Sequence, residues 1–203
     1  MATENNYKTE FIEILKATNR ENIDYVIEDL EDLGFFEAPA SSKNHFNFEG
    51  GLVEHSLNVY KIALMLKEGI ARFRPDVIAR IPNDSIAIAA LLHDVCKADI
   101  YKKVVKKVRN DIGVWEPQES YNIDYSDFPI GHGEKSVIML LRSGLDLTDD
   151  EIIAIRWHMG GWDVAFQSNE MVASNRKAKD ICPLMTLIHS ADTLAAGILE
   201  GKG

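Results

Sequence analysis

The stretch Ile86-Ala87-Ile88-Ala89-Ala90-Leu91-Leu92-His93-Asp94-Val95-Cys96-Lys97 is apolar almost without a break until it reaches a histidine and an aspartate. Pro82-Asn83-Asp84-Ser85 ahead of it is a helix start. A helix that is apolar nearly all round lies in the middle of its domain, covered by other elements. Its end is therefore an unusual place for a carboxylate, because a buried charge is costly unless a cation or hydrogen bonds hold it. His93-Asp94 reads either as a capped, hydrogen-bonded pair in ordinary core or as part of a cation site.

Working outward, residues 52–73 carry Val59, Ile62, Ala63 and Leu66 at helical intervals, with His55 four residues before Val59 on the same inward face. Upstream, two short helices are predicted, over 9–17 and 21–33, the second stopping near Gly34. The Pro-, Ser-, Asn- and Gly-rich residues 37–51 read as a loop. Downstream, residues 130–142 read as a helix with His132 in its first turn. Thr148-Asp149-Asp150-Glu151 is a capping box that opens a helix running to His158 and stopping at Gly160-Gly161. The last helix, about 183–199, opens on Pro183 and places Leu184, Ile188, Asp192 and Ala195 on one side. Residues 100–125 fit a helix face through Tyr101, Val104, Val105 and Val108. They fit a β-hairpin better, with its turn at Asn110-Asp111-Ile112-Gly113. The expected fold is all-α, a helical bundle with a small β-hairpin insertion around residues 100–125. No repeat or linker divides the chain, which is read as one domain with N-terminal helices over 1–40.

A chain of 203 residues with 46% hydrophobic and 27% charged residues is ordinary globular protein rather than a disordered one. No apolar run reaches the roughly 20 residues needed to cross a bilayer. The first residues lack the basic flank and apolar stretch of a secretory signal. Two cysteines, Cys96 and Cys182, make no disulfide framework, so a cytoplasmic location is expected. The net charge of −10 argues against bulk nucleic-acid binding but not against a small phosphorylated substrate, since a divalent ion supplies local positive charge.

Besides the His93-Asp94 pair, His55, His132, His158 and Asp192 each sit on a different predicted helix. Four imidazoles and two carboxylates delivered by packed helices form a mixed nitrogen–oxygen set. Such a set suits one or two divalent transition-metal ions (Fe, Mn, Zn, Co or Ni) better than Ca or Mg.

The segments Gly50-Gly51-Leu52-Val53-Glu54-His55-Ser56, Leu91-Leu92-His93-Asp94-Val95-Cys96-Lys97, Gly131-His132-Gly133-Glu134, Arg156-Trp157-His158-Met159-Gly160 and Ala191-Asp192 follow an H…HD…H…H…D order. In this the chain resembles the HD superfamily of metal-dependent phosphohydrolases, over roughly residues 44–197. The resemblance implies that His55, His93, Asp94 and Asp192 are core metal ligands. It also implies that His132 and His158 complete a second position, bridged by Asp94. The GYP motif of the cyclic-dinucleotide phosphodiesterase branch is missing.

Two metal ions roughly 3.5–4 Å apart would hold a hydroxide for attack on phosphorus, with Asp94 and Lys97 as catalytic residues. Lys97 would steady the developing charge, unless it is only a cation at a helix C-terminus. Lys135, His45 and Trp162 are further residues expected to touch a small phosphorylated substrate, a nucleotide first of all. A solvated lysine, a surface histidine and a packing tryptophan are their plain alternatives. His189, Cys96, Glu54 and Glu134 flank the motif and could orient ligands or simply pack. The lysines of 102–107 either border the site or form a solvated face. Two other functions stay open at this point: a diiron oxygenase resembling myo-inositol oxygenase, and a nucleotide-binding regulatory module with little turnover.

Overall fold

The computed structural model of the chain describes residues 4–125, 128–163 and 168–201. Helix α5 (Asn83–Leu92) is its centre: every residue from Ser85 to Leu92 is buried. Around it pack α1 (Glu4–Ala17), α3 (Gly51–Ala71), α8 (Asp149–Arg156) and α10 (Pro183–Leu194). The apolar stretch thus sits where its composition places it, with no face left for water.

Helix α2 (Ile23–Asp32) buries Ile23, Val26, Ile27 and Leu30 at helical spacing. It leads into Phe35 and Phe36, which stack with Phe11 of α1 at ring separations of 5.1 to 5.5 Å. This aromatic cluster ties the N-terminal helices to the bundle. The short helix α4 (Pro75–Ile78) and helix α9 (Asn169–Ile181) also form, although neither is evident in the sequence pattern.

Beyond α5 the chain turns through His93, Asp94 and Val95 into the short α6 (Cys96–Ile100) and then a two-stranded antiparallel ribbon. Its strands are β1 (Tyr101–Arg109) and β2 (Trp115–Ile123), in register from Tyr101 opposite Ile123 to Arg109 opposite Trp115. Asn110 closes the turn, its side-chain oxygen accepting from the Val114 N–H, and Gly113 takes the positive φ the turn needs. The hairpin reading of this segment is the correct one.

Helix α7 (His132–Arg142) lies against α8 at very close range: a Cβ on Gly133 would fall 2.2 Å from the Arg156 carbonyl oxygen. The absence of a side chain at Gly133 lets the start of α7 meet the end of α8. Among the described residues no single helix is long and apolar enough to cross a membrane.

The capping box of α8 forms: Thr148 Oγ1 accepts from the Glu151 N–H, and Glu151 Oε2 accepts from the Thr148 N–H. Glu151 is fully buried and also holds the guanidinium of Arg20, so one carboxylate caps a helix and anchors the link between α1 and α2. Thr148→Ala should cost about 1 kcal/mol in denaturant unfolding. Glu151→Ala, which also strands Arg20, should cost about 2–4 kcal/mol. Equal losses for the two variants would deny the second role.

Candidate metal centre

Six side chains from five places in the chain meet, one of them Asp94, whose carboxylate is 2% exposed. His55 comes from near the start of α3, and His93 follows the last residue of α5. His132 opens α7, His158 follows α8 by two residues, and Asp192 lies in α10. The two oxygens of Asp94 face two groups of partners. Oδ2 lies 3.2 Å from His93 Nε2, 3.6 Å from His55 Nε2 and 2.5 Å from Lys97 Nζ. Oδ1 lies 2.5 Å from His132 Nε2 and 3.3 Å from His158 Nε2. Asp192 Oδ1 is 3.3 Å from His55 Nε2. Two metal-sized groupings, His55–His93–Asp94 and Asp94–His132–His158, therefore share one carboxylate, while Asp192 forms a further grouping with His93 and His158.

The outer nitrogens fix the inner ones. His93 Nδ1 donates to the Ala90 carbonyl at 2.8 Å, and His158 Nδ1 donates to the Ile155 carbonyl at 2.7 Å. A carbonyl only accepts, so in the neutral ring the Nε2 of each is left as a bare lone pair aimed inward. His55 Nδ1 faces the Glu200 carboxylate at 2.9 Å, and Asn58 donates to the same carboxylate at 3.0 Å. This is the carboxylate–histidine pairing that raises a ligand's basicity. His132 Nδ1 contacts the buried Cys96 sulfur at 3.2 Å. Burial, followed by the nearby Asp94 charge, pushes that thiol up to about 12, so it is neutral.

The Nε2 atoms of His55, His93 and His158 are buried and make no hydrogen bond among the described residues. Three stranded nitrogens beside two carboxylates fit divalent transition-metal ions, which take imidazole nitrogen and carboxylate oxygen together. Electrostatics agree. Burial works against protonating His55, yet Asp192 and Glu200 outweigh it and lift its pKa to about 9. Asp94 is held well below the usual carboxylate range despite its burial, chiefly by Lys97 and His93. The carboxylates thus favour positive charge beside them, whether an ammonium, an imidazolium or a cation.

The centre opens into a cavity of about 580 Å³. Lys97 and Trp162 line it, as does His45, which the loop before α3 holds through a Ser41 hydroxyl donating to the His45 carbonyl at 2.7 Å. Trp162 is 89% exposed and packs against little. Lys97 is buried beside Asp94; burial opposes its charge, but Asp94, Tyr101 and Asp192 hold its ammonium above the ordinary range. Lys135 does not line this cavity. It is 2% exposed, pairs with Asp99 and donates to the Phe128 carbonyl, so its place beside a substrate is not supported by the geometry. The strand lysines 102, 103, 106 and 107 stand exposed, as the solvated alternative has it, while Tyr101 alone of β1 reaches the cavity. His189 buttresses the centre: its Nδ1 donates to the His158 carbonyl, and Gly160, at φ +59°, leaves room for its ring.

Glu200 was not apparent from sequence. Eight residues after Asp192, it would lie about a quarter turn round the axis from Asp192 in an unbroken α-helix. The π-helical turn over Ala195–Leu199, closed by the Glu200 N–H on the Ala195 carbonyl, advances less per residue and returns it to the site.

A model of the HD domain family matches residues 52–197. The dihydroneopterin 2′,3′-cyclic phosphate phosphodiesterase of Methanocaldococcus jannaschii is 31% identical over an alignment of 131 residues that covers 60% of this chain and 47% of that enzyme. The chain thus spans about half the length of this curated relative. No solved structure matches significantly.

Asp94→Ala should leave a folded helical protein that retains no stoichiometric metal by elemental analysis; full metal content would exclude Asp94 as a ligand. Glu200→Gln, which keeps the hydrogen bond and loses the charge, should weaken metal binding about 10–100-fold in a chelator competition.

Proposed function

We propose that this chain, which belongs to the HD domain family, is a metal-dependent phosphohydrolase acting on a nucleotide or another small phosphate ester. One observation carries the reading. Three buried imidazole nitrogens without partners and two carboxylates converge at the floor of a cavity sized for a small molecule. The named activity of the archaeal relative, phosphodiester cleavage, favours hydrolysis over oxygen activation.

His55, His93, Asp94 and Asp192 would hold one divalent ion, with His132, His158 and a shared Asp94 holding a second. Ions bound there supply a nucleophilic water at neutral pH and polarise a phosphoryl oxygen. The chain's own groups do the rest. The Ala90 and Ile155 carbonyls and Glu200 keep three imidazoles in the orientation that presents Nε2 inward. Lys97 carries a permanent charge at the cavity wall, within reach of Asp94 and open to a phosphoryl group beyond it. There it stabilises the negative charge that grows on the phosphoryl oxygens, more strongly than it would in water. His45 and Trp162, which also line the cavity, would contact the remainder of the substrate. The buried free cysteines and the absence of a membrane-length helix among the described residues are compatible with a cytoplasmic enzyme.

The reading is tested by loading protein purified without air with Mn, Fe, Co, Ni or Zn. Release of p-nitrophenol from p-nitrophenyl phosphate and its bis ester is then followed. Metal-dependent release, abolished by a chelator and by His93→Ala, is expected; no release with any metal would falsify it. Lys97→Ala should keep its metal and lose about a hundredfold or more in kcat. An unchanged rate would reduce Lys97 to a partner of Asp94.

A further inference from the structure

The walls of the cavity bear on how many phosphate groups a substrate brings, a question that rests on the phosphohydrolase reading and goes beyond it. Among the described residues lining the cavity, Lys97 is the sole lysine or arginine, and its ammonium is already 2.5 Å from Asp94. Asp192 presents a carboxylate to the same space. Nearby cations are committed elsewhere: Lys103 to Glu49 and Glu119, Lys135 to Asp99, Arg156 to Glu134. Lys43 does not line the cavity itself; it borders a smaller adjoining hollow that shares Asn44, His45 and Ala196 with the cavity and also contains Glu200, a carboxylate.

Sites that handle di- and triphosphates place several cationic groups along the phosphate chain, beyond the ion at the reacting phosphorus. This wall offers one, at the reacting end. A second or third phosphate would lie against neutral and acidic groups, with its charges unmatched in a partly desolvated cleft.

The rest of the lining suits an uncharged body. Tyr101, Tyr125 and Trp162 provide planar faces on which a flat ring stacks. The face of Trp162 is open, as its 89% exposure requires. Ser41, Asn44 and Thr193 add neutral hydrogen-bonding groups of the kind that read hydroxyls and ring edges.

We infer that the substrate carries a single phosphate, as a monoester or a cyclic diester, on a neutral ring-bearing alcohol of the nucleoside type. Nucleoside di- and triphosphates are excluded by charge rather than by size.

The test compares the metal-loaded protein's affinity, by calorimetry, for non-hydrolysable phosphonate analogues of AMP, ADP and ATP, with the guanosine, cytidine and uridine series repeated alongside. Cleavage of the corresponding nucleotides and 2′,3′-cyclic phosphates is followed in parallel. In at least one series the single-phosphate analogue should bind about tenfold or more tightly than the triphosphate analogue. Trp162→Ala should lose about tenfold of that affinity with its metal content unchanged. Equal or tighter binding of the polyphosphate analogues overturns the inference, and so does failure of every single-phosphate probe to bind. If none of the esters is cleaved, p-nitrophenyl phosphate included, the phosphohydrolase reading falls, and the binding ratios still decide the phosphate count on their own.

Discussion

The structure is organised around one electrostatic problem, the carboxylate of Asp94 at the end of a helix that is buried on every side. An unpaired charge in that position costs several kcal/mol, comparable with the whole net stability of a domain. The fold answers by bringing α3, α7 and α8 to the end of α5, so that both oxygens of Asp94 face imidazoles and one of them also faces an ammonium. Lys97 alone balances a single carboxylate. The neighbouring Asp192 and three buried Nε2 atoms without hydrogen-bond partners among the described residues leave a place where further positive charge would be favoured. The packing of the bundle and the affinity of its centre for cations are therefore two aspects of the same interaction.

The same problem made much of the site legible in the sequence. A long apolar run ending in an aspartate announces a buried charge, and the inward spacing of His55 and Asp192 on other helices announces what surrounds it. What stayed hidden was decided by local departures from regular winding or by pairing that sequence does not encode. Glu200 reaches His55 because a π-helical turn underwinds the end of α10. Lys135 shares a helix with His132, which suggests a shared site. Yet three residues along a helix rotate the side chain towards Asp99 and the core. Helix α9 was missed because its exposed, polar face leaves only Asn175 and Ala178 buried, too little apolar periodicity to register. The hairpin was readable for the opposite reason, since a Val-rich strand pattern and an Asn–Gly turn reinforce each other there.

Charge placement connects the fold to the choice of ligand. The chain is strongly acidic, and its exposed strand lysines project from the hairpin rather than into the cavity. Among the described residues lining the cavity, Lys97 is the one lysine or arginine, and it stands beside the cluster of histidines and carboxylates. In the proposed phosphohydrolase, such confinement would concentrate the field where charge develops, and leave aromatic and neutral polar walls to contact the rest of the substrate.

Three of the converging histidines, His93, His132 and His158, sit at or just beyond the ends of helices, and the ends solve a problem of their own. The last carbonyls of a helix have no intrahelical partner. At the ends of α5 and α8, a histidine three residues beyond an orphan carbonyl donates its Nδ1–H to it: His93 to Ala90, His158 to Ile155. One hydrogen bond thus satisfies the helix terminus, fixes the tautomer and turns the free Nε2 lone pair towards Asp94. A histidine in mid-helix would find the carbonyl of the preceding turn already engaged by the ladder and would need an outside partner to orient it. His55, which lies inside α3, has that partner in Glu200. For His55, His93 and His158, the position within or beyond the helix therefore decides whether a carboxylate or the backbone orients the ring.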